Sequence, residues 1–494
     1  MEVLGGYKML TVDEIRSFIL EDENSTKKKL ARIGDRYYDG DHDIKGCRFF
    51  YYDTNGILQE DKFRTNVKIP HPFFKELTDE ATQYILSDDE QIIVSEEDEA
   101  LQKILDDLFN NNDDFMANLS DVLTDVQTRG FSYMYSYKDE NDTIQFRYAD
   151  SIGVVEVDGK LVSDKKDHVI YWYIDRIDME GHKIKKIEDW TDENITYWIQ
   201  KDNGDIEMDK EPTFNPRPHI LYTIGDDKKM YYDTFGTIPF FRIDNNRKQL
   251  GNLKPIKELI DDYDMMASSL SNNLIDFDNP LYVIKGYEGD NLDELQKNLK
   301  TKKIVGVDSE GDIDVKTVDV PYEARCKKLE LDEKNIYRFG MGLNLSSLKD
   351  TSATTNMAIK AAYSLLDLRA KKLEKQARKF LKKIVGIAID DYNKRNKTAY
   401  DATTIKYCFS HEIIANEQEC AQIELTEAQI KQTEVNTLLS AVNQLGLSEE
   451  IIKVLCSLLD IDFETVKKEL EKDSTYQAQV NLDNKPIEED EVDE

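Results

Sequence analysis

Cysteine is scarce in this sequence: five among 494 residues, at positions 47, 326, 408, 420 and 456. They are odd in number and far apart, and none forms a CxxC pair. Neither a disulfide framework nor a zinc knuckle is expected, and the chain reads as one made in a reducing compartment. No apolar run approaches the roughly 18 residues that a membrane span needs. The opening residues Met1-Glu2-Val3-Leu4-Gly5-Gly6 lack a basic stretch leading into an apolar core, so no secretory signal is expected. Positive charge is in short supply, with 65 Lys+Arg against 99 Asp+Glu and a formal net charge of -34. A chain this acidic does not grip nucleic acid as a whole, because neutralising phosphates takes clustered cations. Local, loose contact with DNA stays open, and the simplest use of such a surface is solubility.

Catalytic signatures are also missing. His411-Glu412-Ile413-Ile414-Ala415 starts like a zinc-protease HExxH, but Ala415 stands where the second ligand belongs. There is no GxxxxGK[ST] phosphate loop, and Gly340-Met341-Gly342 lacks the third glycine of a dinucleotide fingerprint. Asp308-Ser309-Glu310-Gly311-Asp312 resembles a calcium loop only loosely, with Ile313 in place of the sharp-turn glycine. Asp41-His42-Asp43 has the elements of a metal site, yet a helix-ending turn accounts for it more simply. With six histidines and no marked Ser-His-Asp arrangement, the expectation is a protein that is not an enzyme and holds no cofactor and no metal.

What is present is an α+β pattern. Residues 11–40 read as helix, capped by Thr11 and stopped at Asp39-Gly40. A second helix starts near Pro72 and carries Phe73, Phe74, Leu77, Ala81, Tyr84 and Ile85 at spacings of three and four. From Asp88 to Asp125 there are 13 acidic residues and one lysine. Ile104, Leu105, Leu108 and Phe109 keep a helical stripe there, which reads as solvated helices. Between about 131 and 243 the period changes to two, with Phe131, Tyr133, Tyr135 and Tyr137 alternating. Turn signals at Asp158-Gly159 and Asn203-Gly204 complete an antiparallel β region. A helix over about 253–277 follows, then a compact insert with strands near 281–284, 304–307 and 313–318 and a helix near 292–299. Pro321 opens another helix to about 339. A long helix spans about 355–393, with Leu366, Ala370, Leu373, Ala377, Phe380, Ile384 and Ile387 as its seam. Between Lys360 and Lys383 it carries nine Lys+Arg and two acids. Pairing of these cations with acids of the same or a neighbouring chain is expected ahead of DNA contact. A strand at 404–409, helices near 417–443, 448–459 and 463–471, and a disordered tail with six acids in its last seven residues complete the reading.

The segment from Phe235 to Asn246, a Gly-x-Ile-Pro strand followed by an Asn-Asn pair, leads into a helix with Leu259-Ile260-Asp261-Asp262-Tyr263 and Ser268. It resembles the portal proteins of tailed phages of the siphovirus type. Tyr37-Tyr38-Asp39-Gly40, Asn66-Val67-Lys68-Ile69-Pro70, Gly130 and the small-polar segment beginning Thr354-Thr355-Asn356-Met357 add to it. That last start usually holds a Ser-Gly pair, where Thr355-Asn356 stands here. The resemblance covers roughly 25–470 and implies a portal-type fold. Its parts would be a wing over 1–250, stem helices over 251–277 and 321–339, and a clip over 278–320. A tunnel loop over 340–354, a long helix and returning wing strand over 355–415, a crown over 416–475 and an acidic tail over 476–494 would follow.

The resemblance also implies a homo-oligomeric ring, twelve-fold in virions, at the capsid vertex, assembled in the host cytoplasm. Its expected partners are double-stranded DNA in the tunnel, the terminase motor, a head-completion adaptor, and the major capsid and scaffolding proteins. Asn344, Ser346, Ser347, Lys349, Asp350 and Thr351 would face the DNA, with Lys349 and Asp350 close to charge balance. Without the resemblance, the same loop reads as an ordinary linker. The other readings are a monomeric acidic scaffold or adaptor that binds basic proteins, and an enzyme acting on a cationic substrate.

Overall fold

The computed structural model describes residues 9–53, 55–62, 65–86, 92–95, 98–139, 142–157, 167–223, 230–277, 281–285, 312–316, 322–344, 356–409, 432–433 and 453. Chain contacts divide it into two units, 1–350 with 361–413, and 351–360 with 414–494. Almost everything described below belongs to the first. The expected crown helices apart from residues 432–433 and 453, which are helical, the helix near 292–299, the strand near 304–307 and residues 308–311 lie outside the described residues.

The expected helix over 11–40 is two helices, α1 (Val12–Glu23) and α2 (Thr26–Tyr38). The break falls at Asn24-Ser25 because the Ser25 hydroxyl accepts the Lys28 N–H and so starts a new helix. Thr11 caps α1 in a reciprocal box with Glu14, as its sequence position suggests. A small hairpin of β1 (Phe50–Tyr52) and β2 (Leu58–Glu60) follows, then α3 (Phe73–Leu86), β3 (Ile93–Val94) and α4 (Glu99–Leu105). The acidic stretch is helical, with a π-turn over Asp106–Asn110 leading to α5 (Asp113–Thr128).

The β region begins with β4 (Phe131–Lys138), β5 (Ile144–Ala149) and β6 (Val154–Val157). It continues through β7 (His168–Ile177), β8 (Lys183–Trp190), β9 (Asn194–Lys201), β10 (Ile206–Met208) and β11 (Arg217–Pro218). Then come β12 (Ile220–Thr223), β13 (Met230–Asp233) and β14 (Phe240–Asp244). Every pairing is antiparallel: one sheet runs β10-β9-β8-β7-β6 with β11 also on β9, and another runs β14-β4-β5. α1 packs Ile15 and Ile19 on the first sheet's Ile170, Ile187 and Trp198. Ala31 of α2 joins Phe131, Tyr133, Val169 and Trp190 where the two sheets meet.

Backbones come close at this junction. Gly130 has φ +94° with Gln249 and Leu250 against it, and a Cβ on Gly34 or Gly251 would lie 2.1 or 2.2 Å from the Thr128 carbonyl oxygen. Glycine is therefore required at all three for steric reasons. The chain then forms α6 (Lys257–Phe277), the paired strands β15 (Leu281–Lys285) and β16 (Asp312–Lys316), and α7 (Tyr322–Gly340). Next is α8 (Asn356–Asn396), 41 residues and about 60 Å long. The expected strand at 404–409 shrinks to β17 (Lys406–Tyr407) on β3, because a 3-10 turn over Ala402–Thr404, capped by Asp401, occupies its start.

Candidate functional site

The region of interest is the α6–α7 pair and the chain that leaves it. Lys328 reaches Asp262 at 2.5 Å, while Ile336, later in α7, packs with Ile260, earlier in α6, and with Ile256 just before it. The helices are therefore antiparallel neighbours that carry the 278–321 insert between them.

α6 is held to the body by polar residues on its packed face. Asp264, Ser268 and Asn272 are buried and spaced by four, about 6 Å of helix rise. Their side-chain oxygens accept the N–H groups of His71 (2.9 Å), Ile69 (3.0 Å) and Val67 (2.7 Å) respectively. Alternate residues of an extended chain repeat at about 6.6 Å, so the helix row and the strap at 67–71 nearly match. The Asn66–Pro70 segment and Ser268, quoted above for the resemblance, are thus two sides of one joint.

Asp264 is the centre of this joint. Its carboxylate also meets His71 Nδ1 at 2.9 Å and His42 Nδ1 at 2.6 Å. His42 is fully buried, stacks on Tyr37 at 4.5 Å, and places Nε2 at 3.1 Å from the Tyr37 carbonyl. A carbonyl only accepts, so Nε2 is the donor in that bond. Burial opposes the Asp264 charge, but hydrogen bonds from the two histidines outweigh it and hold the carboxyl below its usual range. His42 is therefore structural, in keeping with a turn at Asp41-His42-Asp43 rather than a metal site. Beside it Lys257 bridges Asp43 and Asp261, each at 2.7 Å, and Asp261 accepts the Tyr37 hydroxyl.

The end of α7 fixes the root of the next loop. Gly342 N–H closes on the Tyr337 carbonyl at 3.0 Å, and the residue with positive φ is Met341 at +57°, not either flanking glycine. Gly340 and Gly342 instead leave room for the Leu77 side chain, which would have to shift if either carried a Cβ. A Cβ at 340 would lie 2.6 Å from Leu77 Cδ1, and one at 342 would lie 2.1 Å from Leu77 Cδ2. Glu80 of α3 accepts the Leu343 N–H at 3.2 Å, and Tyr337 donates to Glu76 at 2.8 Å. Arg369 of α8 donates to the Gly340 carbonyl at 3.0 Å and to Gln127 Oε1 at 2.7 Å. Burial pushes this guanidinium down to about 10 despite the opposing charge of Glu80. Burial likewise raises Glu80 above the ordinary carboxyl range, against the Leu343 N–H and Arg369.

Of the residues expected to face DNA, Asn344 sits just beyond this root and is partly buried. Ser346, Ser347, Lys349, Asp350 and Thr351 lie outside the described residues. The anchors Glu80, Arg369 and Asp264 went unnoticed in the sequence. Their one signal was a polar residue within an otherwise apolar helical face.

Two clefts of about 620 Å³ each lie away from α6 and α7. One is lined by Asp35, Asp39, Asp79, Asp121 and Asp125 around Arg129, whose guanidinium already pairs with Asp35, Asp125 and Asp150. The other runs between α8 and the β12–β13 hairpin. Among the described residues the metal-capable grouping is Asp178, Glu180 and His182, on the β7–β8 turn. Asp178 already accepts the Glu180 and His182 N–H groups and pairs with Lys201, so the turn explains the grouping. No described helix is long and apolar enough to cross a membrane.

Comparison with known proteins identifies the family. The family model described as "Phage portal protein, SPP1 Gp6-like" matches residues 17–451. The portal protein of Bacillus phage SPP1 is 28% identical over 366 residues, which is 73% of this chain and 69% of that protein. The portal protein of Clostridium phage phiCD119 is 24% identical over 417 residues, 79% of this chain and 86% of its own length. With a match over so much of its length, this chain belongs to the SPP1 Gp6-like family of phage portal proteins.

Proposed function

We propose that copies of this chain close into a ring at the capsid vertex and that double-stranded DNA passes through its centre during packaging and ejection. The family match over residues 17–451 carries this reading. In it, 1–250 is the wing, α6 and α7 are stem helices, and 278–320 is the clip that meets a head-completion adaptor. The terminase motor docks on the same ring during packaging, and 416–475 forms the crown. The ring has twelve subunits in the virion, surrounded by the major capsid protein and, during assembly in the host cytoplasm, by scaffolding protein. The part is structural, with no catalytic step.

The antiparallel α6–α7 pair supports this assignment, because the chain that joins the two helices includes the paired strands β15 and β16. The loop leaving α7 is the tunnel loop of this reading, with Asn344, Ser346, Ser347, Lys349, Asp350 and Thr351 towards DNA. A lumen near charge balance keeps DNA sliding. A dozen unopposed lysines would make about a dozen phosphate contacts and a steeply salt-dependent brake. A monomeric acidic scaffold is the reading that the family match disfavours. Light scattering on the purified chain tests the choice: the ring requires a mass many times the 57.3 kDa subunit, and one subunit mass at micromolar concentration would refute it.

A further inference from the structure

α8 carries one face that no described residue of its own subunit opposes. Leu368, Lys372, Lys375, Lys379, Lys382 and Gly386 recur at spacings of four and three, the period of a single helix stripe. The first five are exposed, with Leu368 at 58%. Lys383 lies beside them. Elsewhere on the helix Lys371 pairs with Asp367, Arg378 with Glu374 and Arg395 with Asp391. Lys372, Lys375, Lys379, Lys382 and Lys383 have no ion-pair partner among the described residues, in a chain with 99 acids. Like charges at these spacings weaken a helix, and Gly386 weakens it further while a Cβ there would touch nothing within 4 Å. The face is unfavourable within the subunit, and it runs about 27 Å before opening into the groove beside β12 and β13.

The complementary surface is on the same chain. The α4–α5 hairpin exposes Glu99, Asp107, Asp113 and Asp114 against the single Lys103, and these four carboxylates also lack a cation among the described residues. We infer that the lysine face of α8 docks on the acidic α4–α5 hairpin of a second copy of this chain. The contact is head-to-tail, since each copy contributes a different patch to each of its two neighbours, and such a contact closes into a ring when its rotation allows. Charge of opposite sign fixes register between copies and speeds their encounter. The inference rests on the ring proposed above, but it names a surface that the ring alone does not specify.

Two full-length variants test it. One carries Lys375→Glu, Lys379→Glu and Lys382→Glu; the other carries Asp107→Lys, Asp113→Lys and Asp114→Lys. All six positions are exposed, so each variant is expected to keep the far-ultraviolet circular-dichroism spectrum of the unaltered chain and a cooperative melt, which establish that it folds. Each variant alone places like charges at every junction and elutes as monomer. Mixed in equal amounts they place opposite charges at every junction, and the ring peak returns with alternating subunits, seen by native mass spectrometry. The unaltered chain, run alongside, tests ring formation itself and so separates failure of that reading from failure of this one. Rings formed by either folded variant alone would overturn the inference. So would a mixture of folded variants that stays monomeric, which would place the acidic partner elsewhere. Intact lysine-variant rings with a defect confined to DNA filling would assign the face to the duplex and likewise overturn it.

Discussion

Lys28 stands in a run of three lysines, yet it is wholly buried, and its ammonium donates to the carbonyls of Ser151, Ile152 and Val154 at 2.5, 2.9 and 2.9 Å. Burial drives it down to about 8, against the pull of the Asp22 carboxylate. It ties α2 to the start of β6, and Lys28→Met leaves three carbonyls without their donor and Asp22 with Lys27 alone. A loss of about 3 kcal/mol is expected in urea unfolding, and an unchanged midpoint would remove Lys28 from the account. His219 gives a pH-dependent counterpart. Its Nε2 donates to the Thr191 carbonyl at 2.9 Å, and its Nδ1 accepts the Phe235 N–H, so the ring is held neutral. Burial lowers it to about 4. Because the unfolded chain takes up this proton near 6.5, the stability is full above that pH and is lost as pH falls towards 4. The loss amounts to about 3 kcal/mol. His219→Gln keeps a donor and an acceptor without titrating, so its stability should vary less between pH 7 and pH 4.5 than that of the unaltered chain. Equal slopes would contradict this.

Among the elements, the long helices and the alternating strands were readable because each has one apolar face with a clear period. α6, α7 and α8 begin and end within a few residues of the positions that their stripes and prolines indicate. The break between α1 and α2 was not read, since Ser25 is one polar residue among many and its capping bond exists only once the chain turns. Sheet order was equally hidden: β14 beside β4 joins segments a hundred residues apart. The row Asp264, Ser268 and Asn272 is visible as sequence, but its partner is the backbone of the strap, which carries no sequence signal. The root of the loop after α7 belongs to this class. Arg369→Met leaves the Gly340 carbonyl, Gln127 and Glu80 without their cation. Faster proteolytic cleavage within 345–355 is expected, and an unchanged cleavage rate would mean that Arg369 does not hold that root. Replacing 278–320 by a short Gly/Ser linker should leave the β-region circular dichroism intact while abolishing adaptor docking. Loss of cooperative folding would place the insert in the central core instead.

At the scale of the whole molecule, the net charge of -34 pointed away from tight DNA binding, while resemblance in a handful of short segments indicated the family. The six tunnel-loop residues rested on that resemblance alone, because a polar linker between two helices has no pattern of its own. Their role is tested by charge: Asp350→Lys should stall packaging at low ionic strength and recover with added salt, while ring yield stays normal. Packaging at the normal rate at low salt would remove Asp350 from the lumen. The account as a whole stands on the ring. Negative-stain images of the purified chain test it most directly: closed rings with a central hole are predicted, and a field of compact single subunits would contradict it.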